Sequence, residues 1–116
     1  ADRSRIAALQ GAGATVAHAK AAKDGRPDPR AVLEFLAERG ITRLLVEGGA
    51  GIAATFLAAG LVDRLVWFRA PVLIGGDGLP AVPGLGIDDL GQAMRWQRTG
   101  VQSLGEDIVE TFSRQA

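Results

Sequence analysis

The sequence predicts an α/β chain in which parallel strands alternate with helices and an antiparallel hairpin closes the end, giving a mixed sheet. Three observations carry this. Helix and strand signals alternate through the first 68 residues, and short connections of that kind imply parallel strands with right-handed crossovers. The apolar runs Leu44-Leu45-Val46 and Leu65-Val66-Trp67-Phe68 are continuous, the pattern of strands covered on both faces. Residues 94–104 and 107–112 read as two strands that meet at Gly105-Glu106, the spacing of a hairpin.

The elements follow in order. Residues 4–10 read as the end of a helix, with Ile6 and Leu9 three apart and Gly11 as its stop, so the chain is expected to open inside a helix. Residues 14–17 read as a short strand, and residues 21–27 as a solvated loop carrying Lys23, Asp24, Gly25 and Arg26. The next helix is the most fully signalled: Asp28 can cap it, Pro29 suits its first position, Val32, Leu33 and Leu36 share a face, and Gly40 ends it. Residues 41–46 follow as a strand. After the glycines, Ile52 and Phe56 lie one helical turn apart, and that helix is expected to run to about Ala59 before Gly60. Residues 71–91 hold Pro80, Pro83, several glycines and Asp88-Asp89, which predicts a long loop with a short capped helical turn.

Composition narrows the function classes. In 116 residues, 47% are hydrophobic and 22% charged, ordinary for a globular domain, while Lys+Arg and Asp+Glu number 13 each. That balance, with no basic run, argues against a nucleic-acid partner. No cysteine means no disulfide, thiolate metal site or cysteine nucleophile, and a single histidine leaves metal ligands too few. The apolar residues 50–62 are too few to span a bilayer, so no membrane partner is expected.

The candidate chemistry gathers at Glu47-Gly48-Gly49-Ala50-Gly51-Ile52-Ala53-Ala54. A strand that turns on glycines into a helix presents backbone N–H groups to an anion, and Gly49, Gly51 and Ala54 spell G-x-G-x-x-A, a form of the dinucleotide fingerprint. A tight turn alone would select the same glycines. Glu47 stands at a strand end, where open α/β sheets bind ligands; it could touch a ligand or accept from the backbone of the turn. About twenty residues on, where such sites place a ribose-binding acid, stand Trp67, Phe68 and Arg69; the arginine could face a 2′-phosphate or simply solvent. No Lys-Ser/Thr follows the glycines, so a P-loop is excluded. Asp77, in Gly-Asp-Gly, suits a turn, and His18 suits a surface position.

Arg43-Leu44-Leu45-Val46-Glu47-Gly48-Gly49, then Leu61-Val62-Asp63, then Ala70-Pro71-Val72-Leu73-Ile74-Gly75-Gly76-Asp77-Gly78 resemble, at this separation, the reductase domain of the bifunctional riboflavin-biosynthesis deaminase/reductase. The likeness extends over nearly the whole chain. It implies a dihydrofolate-reductase-like fold and an NADPH-dependent, cytoplasmic oxidoreductase. Such an enzyme reduces the ribosyl chain of 5-amino-6-(5-phosphoribosylamino)uracil to the ribityl chain. Glu47 would then contact substrate, and Gly48, Gly49, Ala50, Gly51, Ile52, Ala53, Ala54 and Thr55 would hold the cofactor; the resemblance assigns no catalytic residue. Family domains are about twice as long, so an N-terminally truncated, incomplete domain spanning residues 1–116 is expected, inactive alone and self-associating through uncovered apolar surface. A deaminase domain could share the full-length chain. A reductase of another substrate, such as a pterin, and a non-catalytic interaction module are the other readings.

Overall fold

Each α-helix among the described residues stops in the same way. In the computed structural model, which describes residues 2–115, α1 (Arg3–Gly11), α2 (Pro29–Ala37) and α3 (Ala50–Ala58) are each followed by a glycine at positive φ: Gly13, Gly40 and Gly60. The paired bonds of a Schellman closure accompany each one. Gly13 and Ala14 donate to Gln10 and Leu9, Gly40 and Ile41 to Ala37 and Leu36, and Gly60 and Leu61 to Leu57 and Phe56. The chain divides after Arg43 into two compact units, each described by itself.

In the first unit, Asp2 caps α1 by accepting from the backbone N–H and the hydroxyl of Ser4, both at 2.9 Å. The expectation that the chain opens inside a helix is therefore corrected, since α1 has its own start. Its stop is also Gly13 rather than Gly11, because only Gly13 takes the left-handed conformation that the closure needs. α2 follows the sequence signals closely. Asp28 accepts from the Arg30 N–H at 2.9 Å, Pro29 fills the first turn, and the Arg39 guanidinium lies 3.4 Å over the Phe35 ring while donating to the Phe35 carbonyl. Between the helices the Lys20–Asp28 turn closes on Ala22 N–H to Arg26 O and Asp28 N–H to Lys20 O.

The second unit holds a three-stranded antiparallel sheet in the order β1-β3-β2, with β1 at Arg64–Arg69, β2 at Trp96–Leu104 and β3 at Asp107–Arg114. The expected hairpin forms with Leu104 opposite Asp107, and Gly105 at φ +63° followed by Glu106 gives the two-residue turn that suits the strand twist. β2 carries a bulge between Arg98 and Gly100. There Thr99 Oγ1 donates to the Thr111 carbonyl at 3.2 Å, and a Cβ on Gly100 would stand 2.7 Å from Thr111 Oγ1. A side chain at 100 would therefore have to displace the Thr111 hydroxyl. Residues 71–91 form the expected long loop, and Asp89 caps its one helical turn, Leu90–Gln92, through the Gly91 N–H at 2.7 Å.

Two strand expectations are corrected. Residues 14–17 and 41–46 pair with no strand among the described residues, and the sheet is wholly antiparallel there. The apolar run Leu44, Leu45 and Val46 is exposed rather than covered on both faces, and Val66 and Phe68 of β1 are exposed as well. The reason is that a strand is made by its neighbours: an apolar run satisfies neither its backbone nor its side chains until another strand and a packed layer meet it. Burial is accordingly concentrated in a few residues, Pro29 of α2, Ala54 and Leu57 of α3 and Val109 and Glu110 of β3. The fold class stands as an incomplete α/β domain.

Candidate functional site

The glycine turn leads into α3 with its helix start open. Gly48 and Gly49 both take positive φ, +72° and +79°, and Gly49 sits at the N-cap, a position whose missing side chain leaves the first-turn N–H groups without a side-chain acceptor. The helix closes behind it through Ile52 N–H to Gly49 O at 2.9 Å and Ala53 N–H to Gly49 O at 3.0 Å. Free N–H groups and the positive end of the helix dipole together favour an anion at this end. Gly48 and Gly49 also keep the approach open, since no Cβ stands over the turn.

The other residues of the turn divide by face. Ala54 is buried and Leu57 with it, so Ala54 serves close packing, the place that the third small residue of G-x-G-x-x-A occupies in the fingerprint. Ile52 is exposed, and its side chain lies against Gly49, 3.6 Å from where a Cβ would stand. Thr55 spends its hydroxyl proton on the Gly51 carbonyl at 2.8 Å, leaving only the acceptor face of Oγ1 for anything outside the helix. Ala50 and Ala53 are half-buried, while Gly51 is exposed. Glu47, directly before the turn, is exposed and free to meet a ligand from outside.

A second cluster lies on one face of the sheet, and the sequence reading missed it. Glu110, in the central strand, is 8% exposed, and each of its carboxylate oxygens meets one arginine: Arg69 Nη2 at 3.0 Å from β1 and Arg98 Nε at 3.2 Å from β2. The register explains the contact. Glu110 stands opposite Trp67, while Arg69 and Arg98 pair with Ile108 and Phe112, so both arginines reach it along diagonals. Leu65, Trp67, Trp96 and Phe112 line an open concavity beside this cluster. The signal for it was present in the sequence as a lone carboxylate inside the apolar strand Ile108-Val109-Glu110-Thr111-Phe112, with an arginine in each flanking strand. Arg69, read from sequence as facing a 2′-phosphate or solvent, is exposed and pairs with Glu110.

Of the remaining candidates, Asp77 lies exposed in the turn that Gly78 N–H closes on Gly75 O, and His18 is exposed. Among the described residues no three metal-ligating side chains gather. No helix there is long and apolar enough to cross a membrane.

Fold and turn thus define an α/β protein with an open helix start behind a glycine turn. Comparison with known proteins makes this specific. The chain belongs to the RibD C-terminal domain family, which it matches over residues 1–110. It is 38% identical over 82 residues to the riboflavin biosynthesis protein RibD of Mycobacterium tuberculosis (strain CDC 1551 / Oshkosh), which covers 71% of this chain and 23% of that protein. It is 37% identical over 89 residues to the 2,5-diamino-6-ribosylamino-4(3H)-pyrimidinone 5′-phosphate reductase of Methanothermobacter thermautotrophicus, covering 76% of this chain and 41% of the relative. Among solved structures, Acinetobacter baumannii RibD superposes with a TM-score of 0.79 at 23% identity, over 99% of this chain and 30% of that one. That likeness concerns the fold. The chain spans less than half the length of each of these relatives.

Proposed function

We propose that residues 1–116 are part of a single NADPH-dependent reductase domain of riboflavin biosynthesis. The substrate would be 5-amino-6-(5-phosphoribosylamino)uracil, whose ribosyl chain is reduced to the ribityl chain. The observation that carries this reading is the open N-terminus of α3 behind Gly48 and Gly49, in a chain of the RibD C-terminal family. The name of the Methanothermobacter thermautotrophicus relative supports the same class of substrate, a ribosylaminopyrimidine carrying a 5′-phosphate.

The residues present fit the phosphate end of a nicotinamide cofactor. Gly48, Gly49, Ala50 and Gly51 would offer backbone to the pyrophosphate, with Ile52, Ala53, Ala54 and Thr55 continuing the helix behind them. The cofactor supplies the hydride, and the chain's task is to hold it and to orient the opened sugar against it. Glu47, exposed beside the turn, would accept from substrate hydroxyls. A cytoplasmic location, a deaminase domain on the same full-length chain, and association with a second copy through the exposed Val66 and Phe68 belong to the same proposal.

NADPH titration of the wild type and of Gly49→Val tests it. The valine blocks backbone approach, and φ +79° also strains it, so a melting curve is recorded on the same samples. Weaker binding at equal folded fraction supports the cofactor role; equal affinity overturns it.

A further inference from the structure

Arg114, the last residue of β3, joins two elements that the rest of the chain leaves loosely connected. Its backbone N–H donates to the Asp63 carbonyl at 3.0 Å, extending the β1–β3 pairing by one bond beyond Arg64. Its guanidinium Nη1 donates to the carbonyl of Gly60, the residue that closes α3. The fit at Gly60 is close: a Cβ there would stand 3.4 Å from Arg114 Nη2, and φ of +64° already reserves the position for glycine. A cation at this end also meets the negative pole of the helix dipole, so charge and hydrogen bond act together.

We infer that Arg114 is a positioning residue for the glycine turn, acting through α3 from its far end. The helix has nine residues, a rod of about 14 Å, and its other end carries Gly48 and Gly49. Neither glycine has a side chain with which to anchor that end. The direction of the first-turn N–H groups is therefore set by the packing of Ala54 and Leu57 together with what holds the C-terminus, namely the Schellman bonds, the short link 61–63 and the Arg114 clamp onto the sheet. Arg114 lies at the end of α3 opposite the glycine turn and acts through the helix. This role rests on the cofactor reading of the turn.

Arg114→Met keeps the apolar stem and removes the donors, whereas Arg114→Lys keeps a cation able to reach the Gly60 carbonyl. Amide hydrogen exchange and NADPH titration are measured on both variants, on the wild type and on Gly49→Val. In Arg114→Met the amides from Ala53 to Ala59 should exchange about fivefold faster, with those of Val109 and Thr111 unchanged and NADPH affinity lowered by a similar factor. Arg114→Lys should restore most of both. Unchanged exchange in α3, or faster exchange throughout the sheet, would overturn the inference. NADPH binding weakened by Gly49→Val but not by Arg114→Met would overturn it while leaving the cofactor reading in place. Wild-type affinity in Gly49→Val would remove that reading and this inference with it.

Discussion

Replacing Glu110 by glutamine should destabilise the sheet measurably, and the structure allows the size to be worked out. The side chain keeps its shape but loses its charge, and its amide NH2 then faces a guanidinium donor. A hydrogen bond to a charged group is worth roughly 1.5–3 kcal/mol where both partners are withdrawn from water. Here the carboxylate side chain is 11% exposed while the arginines are 55% and 61% exposed. Arg69 and Arg98 can turn to solvent once released, so the cost per bond falls toward the surface-pair range, about 1 kcal/mol each and about 2 kcal/mol together. For a chain of this size that corresponds to a fall in melting temperature of roughly 8 °C. Urea denaturation of the wild type, Glu110→Gln, Arg69→Met, Arg98→Met and the two double variants checks both the total and its division. Each arginine should couple to Glu110 by about 1 kcal/mol in the cycle. A loss below about 0.5 kcal/mol in Glu110→Gln, the level of an ordinary surface change, would refute the claim that this cluster braces the three strands.

The remaining predictions concern the bulge and the site. Gly100→Ala should cost about 1–2 kcal/mol because its Cβ would meet Thr111 Oγ1, and Thr111→Ala should relieve most of that; an equal cost in both backgrounds would show that the backbone of the bulge, not the close approach, requires glycine. Glu47→Gln should leave the melting temperature within a degree or so, since the side chain is exposed, while lowering kcat/KM when introduced into a family reductase that turns over; a fall in stability with unchanged kinetics would make Glu47 a structural acceptor.

What could be read from the sequence was local. Asp28-Pro29 and Gly40 delimit α2, and Leu104-Gly105-Glu106-Asp107 the hairpin, because caps and turn residues act within a few positions of themselves. The glycine turn and the start of α3 were legible for the same reason. Residues 14–17 and 41–46 were not, since an apolar run reports what a strand could bury and not whether a neighbour is there to pair with it. Arg69 and Glu110 lie 41 positions apart in sequence, and only the antiparallel register of β1 on β3 brings them together. Ala54 and Thr55 show the finer limit: the fingerprint marks the first and the family resemblance adds the second, yet the fold turns one inward to pack and engages the other's hydroxyl within its own helix.

The central claim is that the open start of α3 receives the phosphates of NADPH. Backbone amide chemical shifts followed during NADPH addition test it most directly, because they report each N–H separately and need no turnover. The largest changes should fall on Gly48, Gly49, Ala50 and Gly51, with smaller ones through Ile52 to Thr55 and little on β2 and β3. Shifts centred on the Arg69, Glu110 and Arg98 face, or no saturable shift anywhere, would contradict it.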